Sequence, residues 1–295
     1  MKNLSFKVFL IVFTVFTSLA NAEDIAINTA KDSLYVYDDF SITGTELTNE
    51  NGNSGKGWSN FWTYQTNHSS GVKINKGYIY NIKGQFGITR DVENPILLNS
   101  STFYTSFLAR KDETGNFRIS GTREDGADRF AVHIKEDGRL GAQAATTYAN
   151  TVVSDEIYFE NNKAYLVVAK YWYTDKGNMN IIIFEEGETI PDDELDVVWD
   201  LEGIGGTSTI PIDYFRIAFT SEHVMLDDFK LGDTWKSVTS GELNFNFPSV
   251  APTGITATPI SESSLQLSWT DNDIMEEGYT ILQDGTLIGS VGTNI

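Results

Sequence analysis

Apolar and polar residues alternate in short bursts along most of this chain. Runs rich in β-branched and aromatic residues fall at 78–82, 102–109, 117–120, 130–134, 165–173, 179–184, 214–220 and 229–231, and Gly, Asn and Asp punctuate the gaps between them. Asp137-Gly138 stands between two apolar stretches and predicts a hairpin over 135–140 with a positive-φ turn residue. Asp175-Lys176-Gly177-Asn178 predicts a second hairpin between Tyr173 and Met179. Beyond residue 22 no apolar set repeats with a 3.6-residue period over ten or more positions. Each strand must bury one face, so the predicted fold class is all-β, two packed antiparallel sheets over residues 23–235.

The pattern changes twice. Near the start, Lys2 and Lys7 precede a twelve-residue apolar run at 8–19, and Ala20-Asn21-Ala22 forms a small-residue cleavage pattern. Twelve residues rise only about 18 Å as a helix, against a bilayer core of about 30 Å. Residues 1–22 therefore read as a signal peptide, which places the mature protein outside the cytoplasm, in an extracellular or cell-surface setting. No later stretch reads as a membrane span, so no membrane insertion is expected. Near the other end, 236–250 is a polar stretch that reads as a linker, and 251–295 opens a fresh alternation. There Leu265, Leu267 and Trp269 share one face at period two, as a half-buried strand requires.

Composition narrows the chemistry. The 295 residues hold no cysteine, so disulfide frameworks, thiolate metal sites and thiol nucleophiles are excluded. Export without cysteine favours a bacterial source. The three histidines, His68, His133 and His223, make no i,i+4 pair suited to a metal. A net charge of −20 argues against nucleic acid and against anionic membrane surfaces, since both need a basic stripe. Aromatic residues at 13% and apolar residues at 40% supply a large core.

Two stretches resemble known families. Ala251-Pro252-Thr253-Gly254-Ile255-Thr256-Ala257, Leu265-Gln266-Leu267-Ser268-Trp269-Thr270-Asp271 and Glu277-Gly278-Tyr279 resemble the first half of a fibronectin type III module, with Trp269 as its core tryptophan. Residues 251–295 are about half the length such a sandwich needs, so the module is expected to be incomplete at Ile295. The larger part resembles the concanavalin A/laminin-G-like jelly rolls of secreted bacterial proteins, on Tyr37-Asp38-Asp39-Phe40, Gly57-Trp58-Ser59-Asn60-Phe61-Trp62-Thr63, Ser106-Phe107-Leu108-Ala109-Arg110, Tyr165-Leu166-Val167-Val168 and the segment from Leu226 to Trp235. That resemblance implies a non-catalytic adhesion or carbohydrate-recognition module.

Three groups of residues are candidates for chemistry. The triplet Asp-Asp-Phe occurs at 38–40 and again at 227–229. If the terminal strands pair, the two copies lie side by side, and alternation turns one Asp of each pair inward, where a carboxylate needs a cation or hydrogen bonds. Asp38, Asp39, Asp227 and Asp228 are thus candidate ligands for a structural Ca²⁺, the alternative being strand-end caps and solvated carboxylates. Trp58, Trp62 and Tyr64 lie in a Gly/Asn/Ser-rich stretch, and Trp172 sits in Tyr171-Trp172-Tyr173. Their rings either stack on a pyranose or belong to the core. Last, Glu194 and Asp196 match two places of the Glu-x-Asp-x-Glu pattern of jelly-roll glycoside hydrolases and would share a strand face, but Val198 or Trp199 occupies the third. Without that acid the leaving oxygen is not protonated, so no catalysis is expected.

These readings converge on a secreted, non-catalytic binding protein whose partner is a polysaccharide or other extracellular glycan. Two alternatives stand beside it: an accessory N-terminal part of a larger polysaccharide-degrading enzyme, and a structural adhesin with protein contacts. The oligomeric state has no signature in the sequence.

Overall fold

Strand-forming runs separated by turn residues fold here into two sheets packed face to face. The computed structural model describes residues 34–41, 54–64, 72–75, 78–81, 86–96, 102–111, 115–144, 151–204, 212–220, 224–241, 243–245, 247, 252–271 and 278–292. The signal peptide expected at 1–22 lies outside the described residues. Strands are numbered in chain order.

Within the larger unit, 23–247, one sheet runs β13 (Leu201–Ile204), β12 (Gly177–Glu185), β11 (Ala164–Tyr173), β6 (Phe103–Lys111), β15 (Val224–Gly232), β4 (Tyr78–Asn81) and β3 (Val72–Asn75). Its eighth strand, β1 (Leu34–Asp38), pairs with the second half of β15, beyond the stretch that pairs with β4. The other sheet runs β10 (Val152–Ile157), β9 (Arg139–Gln143), β8 (Asp128–Ile134), β7 (Phe117–Thr122), β14 (Ile212–Phe219), β5 (Phe86–Ile96) and β2 (Thr63–Tyr64). The pairings are antiparallel, and the architecture is a jelly-roll β-sandwich. Asp137-Gly138 makes the expected turn: Gly138 has φ +82°, and its N–H donates to the Lys135 carbonyl at 2.9 Å. The turn between β11 and β12 falls at 174–176, as Asp175-Lys176-Gly177 foretells.

Alternation fills the space between the sheets. Tyr165, Val167, Ala169 and Tyr171 of β11 face Phe130, Val132 and Ile134 of β8 and Phe215, Ile217 and Phe219 of β14 in one core. The Phe103 ring lies 5.0 Å from both Phe130 and Tyr171, joining the two sheets.

The eight-stranded sheet is also covered on its outer side, which explains why β11 reads as a nearly unbroken apolar run. Leu108, Leu166, Val168 and Met225 point outward and are buried. Part of the cover is a short helix, α1 (Trp235–Thr239), begun by a Thr234/Ser237 capping box, with Trp235 and Val238 buried. The Ser106 hydroxyl donates to the Val238 carbonyl at 2.7 Å, and Trp235 Nε1 donates to the Pro191 carbonyl at 2.7 Å. The expected linker at 236–250 is therefore packed structure in its first part. Phe247 is buried too, its ring 5.5 Å from that of Tyr78.

The smaller unit, in 248–295, contains two hairpins: β16 (Thr253–Ser261) with β17 (Ser264–Thr270), and β18 (Tyr279–Gln283) with β19 (Thr286–Val291). The Trp269 ring meets that of Tyr279 edge-on at 5.5 Å, while Ile260, Leu287 and Ile288 are exposed. No helix among the described residues is long and apolar enough to cross a membrane.

Candidate functional site

The two Asp-Asp-Phe triplets do lie on neighbouring strands, with Asp38 opposite Phe229. Their carboxylates do not form a calcium cage. Asp38 is fully buried, and its oxygens accept from Arg90 Nη1 at 2.5 Å, Ser54 Oγ at 2.5 Å, Trp62 Nε1 at 2.6 Å and the Phe40 amide at 2.9 Å. Asp39 accepts from the Ser41 amide and hydroxyl. Asp227 accepts from the Asp228 amide at 2.6 Å, and Asp228 pairs with Lys230 at 2.8 Å. Burial first, then the neighbouring Asp228, pushes the Asp227 carboxyl well above the ordinary range. Four carboxylates engaged one by one in this way do not fit a divalent cation. Among the described residues no group of three or more His, Asp or Glu is arranged to hold one.

The aromatic candidates separate. Trp62 is fully buried beside Asp38, so its ring is core and unavailable for sugar stacking. Trp58 packs between Trp62, Phe215 and Phe229, lies under the Arg90 guanidinium at 4.8 Å and donates to the Tyr37 carbonyl. Tyr64 is half-buried against the core, and its hydroxyl donates to the Val72 carbonyl. Trp62 is thus core, while Trp58 and Tyr64 pack against it and keep part of their rings exposed. Trp172 differs: it is half-exposed on the outer side of β11, with Lys170 Nζ 5.3 Å from its ring and Asn178 opposite on β12.

Glu194 and Asp196 lie in a one-turn 3-10 helix (Glu194–Asp196), not on a strand, so the shared strand face is not formed. Glu194 is held by Tyr104 and Lys170, each at 2.5 Å, whereas Asp196 is exposed.

The polar surface with the most organised chemistry is the outer side of the seven-stranded sheet. Arg118, Ser120 and Thr122 of β7 alternate with core residues, as do Tyr214, Arg216 and Ala218 of β14. Cross-strand register sets them in rows. One row is Gly141, His133, Arg118, Ala218 and Gly87; the next is Gln143, Ala131, Ser120, Arg216, Thr89 and Thr63. None of these is a large aliphatic residue, in contrast with the outer side of the opposite sheet. Ser120, Thr122, Ala131, His133 and Gln143 of this face are buried, and its accessible part lies around Arg118, Tyr214, Ala218 and Thr89.

Asp128 organises this face. It binds Arg118 Nη1 at 3.1 Å and Arg216 Nη1 at 3.4 Å, and accepts from Thr122 Oγ1 at 3.1 Å. A bulge between Gly121 and Thr122 in the β7–β8 pairing brings Asp128 opposite Thr122. Arg216 also reaches the Gly126 carbonyl and the Tyr214 hydroxyl, both at 3.1 Å. His133 lies 3.0 Å from Gln143 Oε1. Burial, together with the charges of Lys135 and Arg118, pushes the His133 pKa down to about 4, so the ring is neutral at pH 7 and Nε2 donates to Gln143. Arg118, Tyr214, Ala218 and Thr89 remain partly exposed, whereas only 12% of the Arg216 side chain is accessible. The period-two polar pattern of 118–122 and 214–218 is the sequence signal for this face. An open depression of about 1020 Å³ by the β8–β9 turn is lined by charges of both signs and lacks an exposed ring.

No family model matches the chain, and no curated protein matches it. Among solved structures it is similar to a sialidase, at 15% identity and a TM-score of 0.44, over 72% of this chain and 20% of the sialidase. The binding domain of Botulinum neurotoxin serotype D is matched at 12% identity and a TM-score of 0.42, over 66% of this chain and 48% of that one. The Ca²⁺-bound exoplasmic/lumenal domain of VIP36 is matched at 9% identity and a TM-score of 0.40, over 64% and 89%. The chain thus spans well under two thirds of the sialidase and of the toxin domain.

Proposed function

We propose that this chain is a secreted, non-catalytic glycan-binding protein whose ligand lies along the outer face of the seven-stranded sheet. One observation carries the reading: two cross-strand rows of small and hydrogen-bonding side chains occupy a sheet face without large aliphatic residues. A saccharide offers hydroxyls to such donors and acceptors, and the accessible Ala218 and Thr89 let a ring approach the β14–β5 part of the face. Trp172, on the other sheet, supplies a second, weaker aromatic contact. Glu194 is engaged by Tyr104 and Lys170, and Val198 or Trp199 stands where the second acid of glycosidic cleavage would be. The fibronectin-like reading of 251–295 and export by 1–22 complete the proposal.

Ala218→Trp tests it, because the new ring fills the floor beside Arg118 without cutting any side-chain hydrogen bond. Affinity electrophoresis of the full chain against a panel of glycans should show retention that the variant loses. Absence of retention by the wild type across the panel, or equal retention of the variant, overturns the reading. Hydrolysis of a panel glycan that Glu194→Gln abolishes would contradict the non-catalytic part.

A further inference from the structure

Resting on the glycan-binding reading, we infer that the ligand carries an isolated acidic group, a carboxylate or a sulfate ester, and that Arg118 receives it. Two guanidinium groups share the single carboxylate of Asp128, so this cluster holds one positive charge more than it neutralises. His133 beside it is neutral, and Asp91 in the next row is engaged by Asn60 at 2.6 Å. The two arginines are used differently. Arg216 is committed to Asp128, Gly126 and Tyr214. Arg118 has only Asp128 as a partner among the described residues, through one nitrogen, and its side chain is 26% exposed. A guanidinium has five N–H donors in a planar fork suited to bidentate binding of a carboxylate or sulfate, so most of the Arg118 fork is unused. Its row neighbour Ala218 leaves the approach from β14 low.

The surrounding charge limits which acids fit. The chain carries −20, and a densely charged polyanion meets that field over its whole length. A single acidic group is different, because at physiological salt charges beyond about 8 Å are largely screened and the local arginine dominates. The ligand class is therefore a mostly neutral glycan bearing spaced uronate or sulfate groups.

The test uses the full chain and two matched pairs of probes: a glucuronate-bearing oligosaccharide with its carboxyl-reduced form, and a sulfated galactan oligomer with its desulfated form. Titration calorimetry should show at least about tenfold weaker binding on removal of the acid in one pair, and that pair identifies the acid. Arg118→Gln should weaken the acidic probe by a clearly larger factor than the neutral probe, with Arg118→Lys partly restoring the difference. Circular dichroism and thermal melting confirm folding of each variant. Equal binding of acidic and neutral forms overturns the inference while leaving glycan binding in place. Equal losses for both forms in Arg118→Gln also overturn it, since they mark a structural role. If no probe and no panel glycan binds, the glycan-binding reading itself falls.

Discussion

Asp38 and Arg90 form a buried ion pair that ties the two sheets together. Asp38 belongs to β1 of the eight-stranded sheet and Arg90 to β5 of the seven-stranded one; their atoms meet at 2.5 Å, with 0% and 2% of the side chains exposed. Trp62 donates to the same carboxylate, and the Trp58 ring lies against the guanidinium. An inward carboxylate on the first described strand is thereby satisfied by protein donors, in the place where a cation was the other physical solution.

Removing one partner of this pair should be costly. Arg90→Ala leaves an uncompensated buried carboxylate and should destabilise the large unit by about 3–5 kcal/mol in chemical denaturation. Asp38→Asn should cost less than Arg90→Ala, because the amide still accepts from Trp62. Trp62→Phe keeps the ring but deletes a donor, at a cost of about 1–3 kcal/mol. Wild-type stability in any of these variants would show that the pair does not clasp the sheets.

Asp227 is the opposite case, a carboxyl whose charged form the fold disfavours. Burial, then Asp228, raises its pKa, so its neutral form fits the native state better. The unfavourable contribution therefore grows as pH rises from the unfolded value through the raised folded one. Asp227→Asn keeps an oxygen for the Asp228 amide and should raise Tm at pH 7 by about 2–4 °C. The same melts test the metal: a calcium-induced rise in wild-type Tm that disappears in Asp227→Asn would restore the calcium reading.

Much of this fold is legible in the pattern of residues. The strands at 130–134 and 165–173 follow from β-branched and aromatic runs, Asp137-Gly138 marks its turn, and the repeated Asp-Asp-Phe foretells the pairing of β1 with β15. The α1 helix is five residues long, too short for any periodicity, and only Thr234 and Ser237 mark its start. The site is harder to see. Trp62 lies among Gly, Asn and Ser, a setting that leaves core and surface both open, and its burial depends on a carboxylate 24 positions earlier. Arg118-x-Ser120-x-Thr122 and Tyr214-x-Arg216-x-Ala218 display the polar face at period two, yet their adjacency rests on pairing strands almost a hundred residues apart.

Trp172 and the Arg118 face lie on opposite sides of the sandwich, and packed sheets are themselves about 10 Å apart. A short oligosaccharide therefore cannot touch both, whereas a long polymer that reaches both gains avidity. Trp172→Ala should lower retention on polymeric glycan by about 3–10-fold, in line with the loss of one aromatic stacking contact. The affinity of a hexasaccharide for the same variant should stay at the wild-type value. Unchanged polymer retention would remove Trp172 from the binding surface, and an equal loss for the hexasaccharide would move the main site to its side of the molecule.

His133 makes stability depend on pH in a direction fixed by its surroundings. Burial dominates, and Lys135 and Arg118 add to it, so the folded pKa falls from 6.5 to about 4 despite the bond to Gln143. Below pH 6.5 the unfolded chain takes up a proton that the folded one refuses. The favourable contribution of the neutral ring is thus intact at pH 7 and is lost as pH falls from about 6.5 towards about 4. Between pH 7 and 5 this single group should reduce stability by about 2 kcal/mol. Carboxylates titrate near the lower end of that window, so the informative quantity is the difference between wild type and His133→Gln in urea denaturation across it. The variant should keep the bond to Gln143 and lose about 2 kcal/mol of the pH dependence. Parallel pH profiles for the two proteins would mean that the ring titrates near its ordinary value, in which case His133 carries charge beside Arg118 below neutrality and the positive surplus on this face is larger.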